Sequence, residues 1–134
     1  MNPARTALAP RGGTEGEGFP SEYRIRRGAE IEELLRRGKR ERTRMIDVFF
    51  RAAPVSHSRL GLVVPKFGHT SVARNRVRRR LREIGRRLLL PTLRDRAVCV
   101  DVLLRVNRRA YGASFHELQS DVESMMEALW PEQS

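Results

Sequence analysis

The chain predicts an α+β domain in which helices pack on a sheet. Two observations carry this. Apolar residues alternate over several short segments, as strands half-buried on one face require. Two other segments instead place apolar residues three and four apart, as helices lying on that sheet require. The elements run helix, two or three strands, helix, strand, helix. Counting residues 39–44 as a strand gives α-β-β-β-α-β-α. At 134 residues the chain suits one domain with a real core rather than two full domains. The expected division is a structureless tail over residues 1–21, one α-β domain over residues 22–130, and a short end over residues 131–134.

The tail carries Pro3, Pro10 and Pro20 with Gly12, Gly13, Gly16 and Gly18, and has few apolar residues with which to order itself. A first helix is expected over residues 29–37. Ile31, Leu34 and Leu35 share a face, glutamates open it, arginines close it, and Gly38 follows as a C-terminal cap. In residues 45–52, Ile46, Val48, Phe50 and Ala52 take one face, and Met45, Asp47, Phe49 and Arg51 the other. Leu60, Leu62 and Val64 alternate in the next strand. The second helix spans residues 72–89, with a stripe at Ala73, Val77, Leu81, Ile84 and Leu88, and Pro91 closes the segment. Val98, Val100, Val102 and Leu104 mark the last strand, with Asp101 on its wet side. Ser114 and Glu117 form a capping box that opens the last helix.

The net charge of +11 is far more than solubility needs, and points to a polyanion; nucleic acid is the first candidate. A membrane surface is the weaker one, because it wants a helix with a large lipid-facing apolar side. No apolar run approaches a membrane span, and no secretory signal core opens the chain, so a bacterial cytoplasm is the expected compartment. Cys99 is alone and makes no disulfide framework. His57, His69 and His116 show no ligand spacing, and Asp47, Asp95 and Asp101 form no two-metal carboxylate cluster. Trp130 and Tyr111 read as packing residues. Asn107-Arg108-Arg109 is a basic loop that is either an RNA contact or a solvated turn.

The charge concentrates in one segment. Of the fourteen residues 74–87, eight are arginine and one is acidic. Arg74, Arg78 and Arg82 repel at helical four-residue spacing, and Arg74 and Arg76 lie where the helix dipole disfavours cations. Phosphates against this helix would reverse both penalties. By contrast, residues 114–134 hold five acidic residues and no lysine or arginine, so the polyanion should meet the second helix and avoid the last.

The run from Lys66 through Phe67, Gly68 and the Arg74-Asn75-Arg76 triplet to Val77, Arg78 and Arg79 resembles the signature of the bacterial ribonuclease P protein family. In element order and length the resemblance extends over residues 23–129. It implies an α-β sandwich with a left-handed β-α-β crossover, as in a ribosomal protein. It implies partnership with a large catalytic RNA that uses Mg2+ to remove the 5′ leader of precursor tRNA. The protein itself would hold no cofactor and supply no catalytic residue. On this resemblance Lys66, Arg74, Asn75, Arg76, Arg78, Arg79 and Arg82 bind RNA. Phe49, Asp47, Ile31 and Leu35 line a cleft for the leader between the sheet and the first helix, with base stacking resting mainly on Phe49. Ile31 and Leu35 stand where the family often has phenylalanine, and Asp47 where an apolar residue is common. Phe67 replaces a lysine, as a second stacking surface or as packing. The rival readings are a ribosome-associated RNA-binding protein of similar fold and a free-standing metal-dependent nuclease.

Overall fold

The computed structural model describes residues 20–25 and 28–132, so most of the expected tail and the last two residues lie outside the described residues. A 3₁₀ turn, Ser21–Tyr23, leads to α1 (Gly28–Arg37), β1 (Lys39–Arg42), β2 (Ile46–Ala52), β3 (Arg59–Val63) and α2 (Ser71–Ile84). A π turn (Gly85–Leu89) joins α2 to α3 (Leu90–Asp95); β4 (Val100–Val106), a 3₁₀ turn (Arg108–Gly112) and α4 (Phe115–Leu129) complete the order.

The sheet order is β1-β2-β4-β3. β1 and β4 both pair antiparallel with β2, and β3 lies parallel to β4, joined to it through α2 and α3. Alternation sets which residues meet on each face. Ile46, Val48, Leu60, Val102 and Leu104 face the large core, against Val77, Leu81 and Ile84 of α2 and Leu118, Val122 and Met125 of α4. On the other face Phe49 and Leu103 join Ile25 and Leu34, with Ile31, Leu35 and Val63 packed around them. The short α1 thus covers part of the face opposite α2 and α4.

Local chemistry fixes the helix ends. Thr70 caps α2 by accepting from the Ala73 N–H at 3.1 Å. The capping box at α4 is present in full: the Glu117 N–H donates to Ser114 and the Ser114 N–H to the Glu117 carboxylate. Pro91 does not end the second helical segment, contrary to the expectation from sequence. The Leu90 N–H reaches back to the Gly85 carbonyl, five residues away, and Pro91 then falls at the start of α3. The wider turn shifts the carbonyls preceding the proline ring out of the regular ladder, so the helix runs on through Pro91.

Asp101 is not on a wet side. It is 1% exposed and takes a bidentate contact from Arg59 at 2.9 and 2.7 Å, its register neighbour on β3. Arg59 also reaches Glu30 on α1 at 3.2 Å. The Asp101 hydrogen bond holds the Arg59 guanidinium above its ordinary value, against the opposing effect of burial.

Candidate nucleic-acid interface

The first turns of α2 carry the expected basic surface. No acidic residue stands in the first turn. Asn75, Arg76, Arg79 and Lys66 are exposed. Arg76, Arg79 and Lys66 make no ion pair or side-chain hydrogen bond among the described residues, whereas most other arginines do. Arg74 is half-buried and donates to the Val64 carbonyl at 3.2 Å. Arg78 donates to the Asn75 side chain at 2.9 Å. Arg82 is half-buried and lies with Arg78 beside Arg24 and Leu62. Arg80, by contrast, is a structural arginine that ties α2 to the Ala113 carbonyl at 2.8 Å. Further along, Glu83 neutralises Arg86 and Arg87 at 2.7 and 3.3 Å. The unpaired charge therefore gathers at the N-terminal end of α2, where the dipole favours an anion.

The four cleft residues are brought to the sheet face beside α1, but not as a stacking site. Phe49 is only 3% exposed, packed with Leu34, Ile31 and Leu35. The Arg40 and Arg105 guanidiniums stand over its ring, 5.4 and 5.0 Å from the centroid. A nucleobase cannot lie directly on Phe49, so the expected aromatic stacking there is corrected. The reason is Asp47. It accepts from Arg40, Arg42 and Arg105, each at 3.0 Å, and so folds the guanidiniums of β1 and β4 across the face. The register explains the cluster: Arg42 and Arg105 stand opposite Asp47, and Arg40 opposite Phe49. The arginines that line this face were missed at the sequence level. The signal was available once residues 39–44 were taken as a strand, because Arg40 and Arg42 then share a side.

Burial pushes the Asp47 carboxyl up, but hydrogen bonds from Arg105, Arg40 and Arg42 outweigh it and hold the group below its ordinary value. A depressed carboxyl stabilises the fold above its unfolded pKa, near 3.9, and loses that contribution as pH falls through the folded value. Asp47→Asn should therefore cost on the order of 1–2 kcal/mol at pH 7. Urea titrations across pH check this: the gap between variant and parent should begin to narrow below about pH 4 and go on narrowing as pH falls. A gap that stays constant from about pH 7 down into the acid range would show that charge is not its cause.

Among the described residues no group of three or more His, Cys, Asp or Glu side chains comes together as a metal site, and no helix is long and apolar enough to cross a membrane.

A single α-β unit with an arginine-rich helix start that has no acidic residue in its first turn, and with an arginine-covered sheet face, defines a polyanion-binding protein of the RNA-binding class. Comparison with known proteins makes the class specific. The model of the Ribonuclease P family matches residues 19–130. The ribonuclease P protein component of Acidothermus cellulolyticus is 34% identical over 114 residues, 83% of this chain and 91% of that protein. That of Kocuria rhizophila is 34% identical over 106 residues, 79% of this chain and 90% of that protein. The fold is that of the RNase P protein of Staphylococcus aureus, with a TM-score of 0.70 at 20% identity over 83% of this chain and 98% of that one. The chain belongs to the ribonuclease P protein family, the protein component of the ribonucleoprotein that matures tRNA 5′ ends.

Proposed function

We propose that the chain binds the catalytic RNA of ribonuclease P through the N-terminal end of α2, and the 5′ leader of precursor tRNA across the sheet face beside α1. The RNA is the catalyst and uses Mg2+; the protein supplies binding and no reacting group. Lys66, Arg74, Asn75, Arg76, Arg78, Arg79 and Arg82 form the RNA contact. At the leader face, Asp47 positions Arg40, Arg42 and Arg105, while Phe49, Ile31 and Leu35 form the floor beneath them. Guanidiniums serve a single strand in two ways, pairing with phosphate and stacking flat on bases. The cytoplasm is the compartment where such a partner is met.

The observation that carries the reading is the unpaired basic start of α2. Free-standing helices gain from opposite charges at four-residue spacing; this end forgoes that gain, and only an external anion makes it favourable. The test is reconstitution with a bacterial ribonuclease P RNA and a precursor tRNA. The protein should speed leader removal at low Mg2+ and strengthen binding of precursor over mature tRNA. Cleavage by the protein in Mg2+ without RNA would overturn the reading in favour of a nuclease.

A further inference from the structure

We propose that the turn at Phe67 and the 3₁₀ turn at Arg108 form a second single-stranded RNA subsite, in which a base continues a Phe67–Arg108 stack and its phosphates lie on Arg42, Arg44 and Arg109. This deepens the function proposed above and rests on it for the identity of the strand.

The site is an open cavity of about 510 Å3 between the β1–β2 turn, the loop before α2 and the end of β4. Phe67 belongs to neither hydrophobic cluster and is half-buried on its wall. Its backbone holds it there. The His69 N–H closes a tight turn on the Lys66 carbonyl at 2.7 Å, with φ of +48° at Phe67 and +83° at Gly68. Positive φ at both central residues is the pattern of a type I′ turn, which ordinarily takes asparagine or glycine first. A bulky aromatic at that position is strained, and the ring lies outside both hydrophobic clusters, packing instead against Tyr111 and Arg108 at the cavity wall. The ring is braced from behind. Tyr111 meets it edge-on at 6.3 Å, stacks on His69 at 3.9 Å, and is itself tied by its hydroxyl to the Pro65 carbonyl.

The cation side is also built. The Arg108 guanidinium lies 4.5 Å from the Phe67 centroid, a planar surface that can carry a further π face. Arg44 and Arg109 have no side-chain partner among the described residues. Arg42 gives only its Nε to Asp47, leaving its terminal nitrogens to the cavity. Asn107 locks the two arginine-bearing loops together. Its amide donates to the Arg44 carbonyl at 3.0 Å, and its side-chain oxygen accepts from the Arg109 N–H at 2.9 Å. An aromatic–guanidinium stack beside the partnerless Arg44 and Arg109 and the half-engaged Arg42 is the combination that binds single strands: charge takes the backbone and the π surface takes the base.

The test uses the full chain and two probes of equal charge, a penta-adenylate RNA and the same ribose-phosphate backbone without bases. The parent should bind the RNA about tenfold or more tightly than the abasic probe. Phe67→Asn suits the turn, so it should fold with an equal or higher melting temperature, lose that preference and keep its affinity for the abasic probe. Arg108→Lys keeps the charge and should also lose most of the preference. In Phe67→Trp the preference should survive, and the new indole emission should be quenched by the RNA. Arg44→Ala with Arg109→Ala should weaken both probes alike and flatten the salt dependence. A parent that does not distinguish the probes, or a Phe67→Asn variant that still does, overturns the proposal. This arm contains no catalytic RNA, so its failure is separate from failure to stimulate leader removal.

Discussion

Replacing Arg59 by methionine should destabilise the fold by about 3–5 kcal/mol. The substitution leaves Asp101, 1% exposed between β3 and β2, as a buried carboxylate without its two hydrogen bonds. It also releases Glu30, and with it one tie holding α1 to the sheet. The melting temperature should drop on the order of 10–20 °C. Asp101→Ala should cost less, because the orphaned Arg59 still reaches Glu30 near the surface. The double change Arg59→Met with Asp101→Leu should recover most of the loss, since a matched apolar pair carries no desolvation cost. Thermal and urea unfolding of the three variants decides the matter. A single Arg59→Met costing under 1 kcal/mol would mean that the pair is solvated.

Arg74→Ala combined with Arg76→Ala should weaken binding to the catalytic RNA by about ten- to a hundredfold at moderate salt. Each phosphate left without its arginine should reduce the slope of log K against log salt by about 0.7–0.9. The free protein should respond differently. Arg76 is exposed without a partner, and both cations sit at a helix N-terminus, so their removal relieves the dipole. Against this stands the hydrogen bond from Arg74 to the Val64 carbonyl, part-buried and contributing about 1 kcal/mol, which the alanine cannot make. The two contributions nearly cancel, so filter binding across a salt series should show the loss of affinity while calorimetry on the free protein shows little change. If affinity and salt slope hold while the protein melts earlier, these arginines are structural and α2 is not the RNA face.

Elements whose signal is local were readable from the sequence. The capping box at Ser114, the stripe through Val77, Leu81 and Ile84, and the basic start of α2 each depend on residues within a few positions of one another. The features that were not readable depend on pairings across the sheet. Alternation sets Phe49 and Phe50 on opposite faces, but cannot tell whether α1 and the arginines of β1 and β4 close over Phe49. Asp101 reads as a solvent-side aspartate until Arg59, its neighbour only through the parallel β3–β4 register, is brought beside it. Asp47 reads as an odd cleft residue until three arginines, two on β1 and one on β4, converge on it. The continuation of the helix past Pro91 was misread because proline is a reliable stop only when the i to i−4 ladder is regular.

That irregularity sets the rotational phase between the arginine-bearing helix and the segment that follows it. A continuous α-helix carrying Val77, Leu81, Ile84 and Leu88 inward would next turn Pro91 and Asp95 to the core. The five-residue turn contains one residue more than an α turn, and so rotates α3 by about 100° relative to α2. Leu89, Leu90 and Leu93 become the buried side, while Asp95 is left in solvent. Gly85 fits at the pivot because any Cβ there would collide with the Leu60 side chain. The extra residue is thus a phase correction between two half-helices with different inward faces. It lets the front half keep its arginines aimed outward at a fixed angle, whatever orientation the leucine-rich back half needs to seal the core.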